Sequence, residues 1–408
     1  MQAASSDVEL KMRLCYLLLS PTFGMHQYTA DLANRMAPGR DVHLVTTAQA
    51  PRDRYRPAVT IHTPLTAGDT GLSAGGVHLG ALRRVGEALR RLEPDVVHVT
   101  GPHLWNVPLV VWLRRRDIPV IHTIHDLDPH SGVGYGRLLH VWNDCILRTA
   151  DHILVHGERY RHRLLARGML PGRVTYTPLL HLFLSYKEEV ALRREALRRE
   201  ALQQEALRRE GFQGGTTRPG GGAGEAETVV LFFGRIRAYK GVGTLLAAWE
   251  RLPEPPAGAR LVLAGQGELP AARRGRLPPG VERRNRRVGG AEAVALFRSC
   301  DLVALPYVDA TQSALAAAAY FFGKPVLATR SGALPEYVQD GRTGYLVAPG
   351  DVEALARTLG EALAQREQLE QMGQAGRAWY ERAHRRERAT LEALYQDVFR
   401  VREFRATV

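Results

Sequence analysis

The amino-acid sequence predicts an α/β fold with two doubly wound domains, each a parallel β-sheet covered by helices on both faces. Short apolar runs alternate with helix-like amphipathic segments in the first half of the chain, and the same scheme returns in the second half. The length of 408 residues also exceeds what one ordinary hydrophobic core accommodates. In such sheets ligands bind beyond the carboxyl ends of the strands, so we expect the functional residues there.

The apolar runs are short and separated by amphipathic segments, as is typical of strands buried on both faces. The predicted strands are residues 13–20, 41–47, 95–100, 119–124, 152–156, 174–177, 229–233, 260–265, 301–306, 325–329 and 344–347. Predicted helices include residues 78–93, 105–116, 242–252, 311–322 and 352–365. We therefore expect an N-terminal domain over residues 1–185, a linker over 186–226, a C-terminal domain over 227–377 and a final helix over 378–408.

The predicted linker contains a five-residue unit that occurs four times, ALRRE, ALRRE, ALQQE and ALRRE, at residues 191–210. Five residues advance a helix by about 500°, so the leucines spiral around it instead of forming one apolar stripe. Because these residue types favour helix, we interpret the segment as a solvated helical spacer followed by the flexible tract GGTTRPGGGAG. The alternative is a basic helix that binds a membrane or a partner protein.

The composition favours anionic partners and a reducing environment. The net charge is +13, which suits nucleotides, phosphorylated substrates, an acidic membrane surface or nucleic acid, although no nucleic-acid recognition motif occurs. Cys15, Cys145 and Cys300 lie far apart and predict neither a disulfide framework nor a zinc site. No apolar stretch approaches the roughly 18–20 residues of a membrane-spanning helix, so we expect a cytoplasmic protein.

Two cations follow the first strand of the second half, in the segment GRIRAYKG at residues 234–241. Arginine offers planar, two-pronged recognition of phosphate oxygens and lysine adds a compact charge, so Arg235 and Lys240 could together hold a diphosphate. The alternative is a solvated basic turn. Gly24 follows the first strand of the other half at the mouth of a helix, where a ligand or an anion can approach closely.

Polar side chains also follow other strands. His125 and Asp126 end a predicted strand and suggest hydrogen bonding to a sugar or an acceptor hydroxyl, with a metal site as the less favoured alternative. His122 in the same strand is interpreted as a buried structural histidine. Thr311, Gln312 and Ser313 are predicted to form a helix N-terminus whose N–H groups point at an anion.

The order of several short blocks is more specific than any one of them. FGRI and YKG precede LAGQG, LPY, GKPVLAT, GALPE and DGRTGYLV, and this order over residues 229–351 resembles that of the family 4-type retaining glycosyltransferases of GT-B fold. The N-terminal half resembles them more loosely through GMHQYTADLA, DVVHVTG and HTIHD. The resemblance implies a nucleotide-sugar donor of UDP or GDP type on the C-terminal domain, an acceptor on the N-terminal domain, and a last helix that returns to the N-terminal domain. It implies neither a cofactor nor a metal.

By the same resemblance, Arg235 and Lys240 neutralise the donor diphosphate, His125 contacts the transferred sugar and Gly24 lies beside the phosphates. Gly265, in LAGQG, is placed on the donor side in the same way. The turn segment GALPE supplies Glu336, either as a donor-side carboxylate or as a group that caps or ties down the turn after it.

One departure from the family concerns two glutamates that many members carry eight positions apart. The corresponding positions here are Ala310 and Ala318, which can contact neither the sugar nor the ribose as a carboxylate does. The segment DATQS instead resembles a variant in which Thr311, Gln312 and Ser313 line the loop. Asp309 either substitutes for the first glutamate or is solvated.

We therefore predict a glycosyltransferase acting with retention, in glycolipid or surface polysaccharide synthesis. The basic segments at residues 83–91 and 113–117 suggest peripheral contact with an anionic membrane, or else reflect an arginine-rich composition. The main alternative is a non-catalytic GT-B-like protein that binds a nucleotide or a glycan, or serves as a partner subunit. An epimerase or a sugar-phosphate synthase on the same fold is a further alternative.

Overall fold

The computed structural model describes residues 12–20, 23–66, 79–127, 136–195, 198, 227–252, 258–270 and 277–407. Of the predicted linker it describes only a helical stretch, residues 186–195, and the single residue 198. Most of the five-residue repeat and the whole predicted flexible tract therefore lie outside the described residues.

The N-terminal half forms one parallel sheet of seven strands in the order β3-β2-β1-β4-β5-β6-β7. Its strands are β1 Arg13–Leu17, β2 Asp41–Thr47, β3 Val59–Leu65, β4 Val96–Val99, β5 Val120–Ile124, β6 His152–Val155 and β7 Val174–Tyr176. The central strands β4, β5 and β6 are buried along their whole length, which explains why they consist mostly of valine, isoleucine and leucine.

The C-terminal half forms a second parallel sheet, of six strands, in the order β10-β9-β8-β11-β12-β13. Its strands are β8 Val229–Phe233, β9 Arg260–Ala264, β10 Val281–Arg284, β11 Leu302–Leu305, β12 Val326–Thr329 and β13 Gly344–Val347. The first six strands of both sheets thus follow the same doubly wound order, and the predicted fold class is confirmed.

Helices connect the strands and cover the sheets. They are α1 Phe23–Met36, α2 Leu79–Leu92, α3 Asn106–Arg114, α4 Gly136–Thr149, α5 Glu158–Ala166, α6 at residues 186–195, α7 Val242–Glu250, α8 Gly290–Ser299, α9 Ala314–Phe321, α10 Leu334–Tyr337, α11 Val352–Ala364 and α12 Arg366–Thr407.

The sequence did not predict β3 and β10, and both lie at an edge of their sheet. Strand β10 reads VERR and is half-exposed throughout, while β3 carries Pro64 and four half-exposed residues in succession. An edge strand has one neighbour and contacts solvent, so it needs no apolar run and tolerates proline. The hydrophobic pattern that identified the other strands is therefore weak in these two.

Helix α12 extends over 42 residues and passes through the boundary predicted at residues 377 and 378. Its first part packs closely on α9, where a Cβ on Gly376 would come 2.3 Å from Cδ1 of Tyr320. Its later part contacts the N-terminal sheet, where the hydroxyl of Tyr395 lies 3.0 Å from that of Tyr16 and 2.8 Å from Nδ1 of His98. One continuous helix thus packs on both sheets.

The N-terminal half contains several histidines whose charged form is disfavoured by burial. Burial lowers the pKa of eight histidines in this half and of His384 on α12; the eight are His26, His62, His98, His122, His125, His152, His156 and His181. The lowered pKa lies near 4 for His152 and near 3 for His122. His122 is fully buried and hydrogen-bonds to Asn106, as the interpretation of a structural histidine predicts.

We predict that the protein loses stability steeply as the pH falls from about 6.5 towards 5. Below the ordinary histidine pKa of 6.5 the unfolded chain binds protons that the folded chain excludes, so the free energy of unfolding decreases. Each such group contributes up to about 1.4 kcal/mol per pH unit below 6.5, and the contributions of several groups add. Glu387, whose pKa burial raises to about 7, and Asp31, whose pKa burial also raises, oppose this trend.

Denaturant unfolding at pH 7.5, 6.5, 6.0 and 5.5 measures this dependence. His152→Gln should reduce its slope by about one proton, because glutamine can keep the hydrogen bond to Thr175. His140→Gln is the matched control, since that side chain is exposed, and should leave the slope unchanged. A stability that is constant over this pH range would contradict the prediction.

Candidate active site

The strand order reverses at the same point in both sheets, between β1 and β4 and between β8 and β11. Crevices that bind ligands open at the carboxyl ends of strands flanking such a reversal. Every residue that the sequence assigned to the site lies in a segment that follows a strand at this edge of one of the sheets, so we describe these segments in turn.

The two predicted cations follow β8 directly. Arg235 is exposed, and Lys240 is half-buried in the short turn before α7. The Lys240 amine donates a hydrogen bond to the hydroxyl of Tyr307, which follows β11, at 3.3 Å, and lies 5.0 Å from the centre of that ring. Lys240 therefore spans the reversal point between β8 and β11.

Both cations are available for an anion. Burial alone would lower the pKa of Lys240, but the nearby hydroxyls of Tyr307 and Tyr239 outweigh it and hold the pKa above its ordinary value. The Lys240 amine is therefore charged at neutral pH, close enough to Arg235 for the two charges to repel. Within the part of the chain that the structure describes, neither cation forms an ion pair with a carboxylate.

A second segment, residues 306–313, follows β11 and is called the β11 loop below. The structure starts α9 only at Ala314, so Thr311 and Gln312 precede the helix and do not form its first turn as predicted. Ser313 is the N-cap, and its hydroxyl accepts a hydrogen bond from the N–H of Leu315 at 3.3 Å. The same hydroxyl lies 3.3 Å from that of Tyr307, which links the helix start to Lys240.

The two positions where many family members carry glutamate are apolar and buried. Ala310 is 6% exposed, and its N–H donates to the hydroxyl of Ser331 at 2.9 Å. Ala318 lies inside α9 and is 1% exposed. Asp309 is half-buried, and its N–H donates to the carbonyl oxygen of Tyr239 at 3.3 Å. The β11 loop is thus fixed through its backbone.

The structural need for glycine differs between two positions of the predicted site, Gly265 and Gly24. Gly265 has φ +149°, and a Cβ there would come 2.0 Å from the carbonyl oxygen of Gly234, so only glycine lets these two loops meet. Gly24 lies in the first turn of α1, and apart from its chain neighbours and its own helix backbone no atom of the described residues lies within 4 Å of the position of a Cβ. The packing of the described residues therefore does not require a glycine at position 24 and leaves space beside it.

His125 follows β5 on the opposite side of the site and is 8% exposed. Its Nε2 donates to the carbonyl oxygen of Thr100 at 3.0 Å, and burial lowers its pKa, so the ring is neutral. This hydrogen bond fixes the tautomer and leaves Nδ1 as an acceptor. Nδ1 is buried and has no partner among the described residues.

Sequence reasoning did not identify three neighbours of His125. His156 follows β6, His181 follows β7, and both rings pack against Tyr28, whose ring centre lies 4.8 Å from that of His125. Nε2 of His156 and Nδ1 of His181 are also buried without a partner among the described residues. The sequence signal that could have identified His156 and His181 is that each follows the end of a strand.

The carboxylate of Glu336 has its hydrogen-bond partners in the N-terminal half. Its two oxygens accept hydrogen bonds from the N–H groups of Glu158 at 2.6 Å and Arg159 at 3.1 Å, at the start of α5 in the N-terminal half. The carboxylate therefore caps a helix of the other half, as the capping alternative predicts. A role of Glu336 on the donor side stays a prediction.

Among the described residues, no group of three histidine, cysteine, aspartate or glutamate side chains is arranged to hold a metal ion. The described helices also include none that is both long and apolar enough to cross a membrane.

Two family models match the chain, one over each sheet. A glycosyl transferase 4-like domain matches residues 23–179, and a model described as glycosyl transferases group 1 matches residues 227–365. The chain is a GT-B glycosyltransferase of the family 4 type.

Among the relatives of this glycosyltransferase is D-inositol 3-phosphate glycosyltransferase from Mycobacterium sp. (strain JLS). The two are 26% identical over 372 residues, which span 84% of this chain and 78% of the relative.

Solved structures share the fold. HepE from Anabaena in complex with UDP and glucose superimposes with a TM-score of 0.68 at 16% identity, over 95% of this chain and 100% of HepE. Sucrose-phosphate synthase from Thermosynechococcus elongatus gives a TM-score of 0.71 at 18% identity, over 96% of this chain and 100% of that one.

Proposed function

We propose that this glycosyltransferase moves a sugar from a nucleoside-diphosphate donor of UDP or GDP type to an acceptor hydroxyl, with retention at the anomeric carbon. The observation that carries the proposal is the charged pair Arg235 and Lys240, which lies at the reversal point of the C-terminal sheet without a carboxylate partner among the described residues. The related structure of HepE was solved with UDP and glucose, which supports a donor of this class.

The pair acts on the charge that develops as the donor breaks. When the bond between the anomeric carbon and the diphosphate oxygen lengthens, negative charge accumulates on the diphosphate. Cations already fixed there stabilise the transition state more than the ground state. The contact of Lys240 with Tyr307 holds the amine in place, so little reorganisation accompanies the reaction. We expect these two cations to suffice without a divalent metal.

The acceptor and the transferred sugar would bind on the side of the N-terminal sheet. Nδ1 of His125 can accept a hydrogen bond from a sugar hydroxyl, since its tautomer is fixed by Thr100 and its ring is neutral. Gly24 leaves room beside the first turn of α1, where N–H groups favour the phosphates. These roles follow the family resemblance and fit the geometry.

We infer a front-side transfer. The acceptor oxygen forms a bond to the anomeric carbon on the same face from which the diphosphate oxygen leaves, and the acceptor proton passes to the leaving phosphate oxygen. This route needs no protein carboxylate as nucleophile, in keeping with alanine at positions 310 and 318 and with the use of Glu336 as a helix cap.

We predict that one class of nucleoside-diphosphate sugar stabilises the protein against heat. At 100 times its dissociation constant a ligand adds about 2.7 kcal/mol, which is readily measured by a thermal shift. UDP-, GDP- and ADP-sugars should be compared on the wild type, Arg235→Ala and Lys240→Ala, with Arg251→Ala as an exposed control on α7's far end. We expect the thermal shift to be lost in Arg235→Ala and in Lys240→Ala and to be kept in Arg251→Ala. Stabilisation of the wild type by none of the donors would instead favour the non-catalytic alternative.

The configuration of the product tests the front-side route. With the donor identified in this way and a suitable acceptor, proton NMR of the fresh product should show the anomeric configuration of the donor, with activity maintained in EDTA. An inverted product would reject retention and require a base that activates the acceptor on the opposite face.

We also propose a peripheral contact with an anionic membrane, which would suit a glycolipid or lipid-linked acceptor. Helix α2 buries one apolar face and exposes a basic one, formed by Arg83, Arg84, Arg90 and Arg91. The side chain of Leu79 at its start is 77% exposed. The two basic segments singled out in the sequence adjoin here, because α2 and α3 line a common groove of about 430 Å³ that includes Arg90, Trp112 and Arg116.

We predict that the protein co-sediments with vesicles containing phosphatidylglycerol at low salt and not with vesicles of phosphatidylcholine alone. Each basic side chain near such a surface contributes about 1 kcal/mol, so Arg90→Glu/Arg116→Glu should weaken binding at least about ten-fold. Arg251→Glu/Arg330→Glu makes the same charge change on the C-terminal half and serves as the control. Equal binding of the two double variants to these vesicles would show that the membrane contact does not lie on α2 and α3.

A further inference from the structure

Helix α5 begins without a cap of its own. Its N-cap residue is Gly157, which has no side chain to accept from the first N–H groups. These N–H groups would otherwise lack partners, and serine, threonine, aspartate or asparagine at this position supplies one in most helices. In this protein the acceptor comes from a residue 178 positions later in the sequence, the carboxylate of Glu336.

The missing side chain of Gly157 is what allows the two halves to meet. A Cβ at Gly157 would lie 2.9 Å from the Cβ of Ala333 in the C-terminal half and 2.7 Å from Cδ2 of Tyr160. Its φ of −155° is open to any residue, so the backbone itself does not demand glycine. The requirement for glycine therefore arises from the contacts with Tyr160 on the same helix and with Ala333 of the other half. Glu336 lies three residues after Ala333, on the short helix that follows it.

Further hydrogen bonds join the same two surfaces. Arg159 donates to the carbonyl oxygen of Gly332 at 2.5 Å, and the hydroxyl of Tyr160 donates to the carbonyl oxygen of Thr311 at 3.0 Å. The hydroxyl of Tyr337 donates to the carbonyl oxygen of His156 at 3.0 Å. One end of α5 thus contacts both the β11 loop and the start of α10.

We propose that this end of α5 is an interdomain latch, in which Glu336 caps the helix from the other domain and thereby positions the β11 loop for the reaction. The latch comprises Gly157, Arg159 and Tyr160 on one side and Thr311, Gly332, Ala333 and Glu336 on the other. Glu336 is a positioning residue that acts through α5, and it does not bind the donor.

The β11 loop connects the latch to the site described above. The carbonyl oxygen of Thr311 accepts from Tyr160, and two residues later Ser313 hydrogen-bonds to Tyr307, the partner of Lys240. When the latch is formed, the loop beside the cations is held against the domain that carries His125. When it is broken, the cations keep their own contacts but the two halves of the site are no longer held together.

Two variants break the latch from opposite sides. Glu336→Ala removes the cap from the C-terminal side. Gly157→Ser supplies α5 with a cap of its own, while its Cβ pushes against Ala333 and against the ring of Tyr160, both of which belong to the latch. The control is Glu158→Gln, which removes a carboxylate from the same turn of α5 and changes its pairings with Arg161 and His162, both on that helix.

The latch predicts one phenotype for both variants. Because a helix cap and its charge contribute about ten-fold to an equilibrium, kcat should fall roughly ten-fold while the dissociation constant of UDP or GDP, whichever binds, changes less than about three-fold. Small-angle X-ray scattering should show a larger radius of gyration for both variants than for the wild type and Glu158→Gln.

The opposite pattern would overturn the latch. If Glu336→Ala weakens nucleotide binding ten-fold or more while Gly157→Ser changes neither kcat nor the scattering, Glu336 is a donor ligand. Unchanged scattering in both variants also overturns it. The kinetic measurement depends on the proposed transferase activity, but the scattering measurement does not. If the protein shows no transferase activity, scattering of the same variants therefore still tests the latch.

Discussion

The approach of four loops, those after β8, β9, β11 and β12, at the carboxyl edge of the C-terminal sheet underlies the rest of the site. Gly241, Gly265 and Gly332 all have positive φ, and a Cβ on any of them would come within about 2 Å of a carbonyl oxygen in a neighbouring loop. Because the loops touch through their backbones, Lys240 after β8 reaches Tyr307 after β11. The positions of the cations thus follow from backbone packing and do not depend on a partner of opposite charge.

The N-terminal half meets the same cleft with a different chemistry. Its strand ends present neutral imidazoles instead of charges, because burial excludes protons from His125 and His156. A neutral ring with a fixed tautomer offers a hydrogen-bond acceptor to a hydroxyl group without competing for the anion held opposite. This separation, with charge on one sheet and neutral acceptors on the other, suits a reaction that joins a diphosphate donor to a hydroxyl acceptor. Because these histidines are buried in their neutral form, the folded protein is expected to lose stability at acidic pH.

The two halves are held together at several places, of which two differ in character. Helix α12 continues from the C-terminal half and packs on both sheets, and it buries an ion pair between Glu387 and Arg35 of α1. The end of α5 connects them without covalent linkage, through hydrogen bonds in which Glu336 is the charged acceptor. The first connection involves a continuous helix and a buried charge, whereas the second involves a helix end and the surface of one turn. Relative movement of the halves would therefore affect the second connection first.

Most of the fold was determined by the sequence alone, because strands buried on both faces must be apolar whatever surrounds them. Eleven of the strands were predicted in this way, whereas β3 and β10 were not, since an edge position imposes no such pattern. The cations after β8 and the histidine after β5 were also predictable, since strand ends at one sheet edge converge in any doubly wound fold. Only the tertiary structure decided the partner of each group. The role of Glu336 and the need for glycine at position 157 depend on contacts between residues far apart in the chain, and no local pattern encodes such contacts.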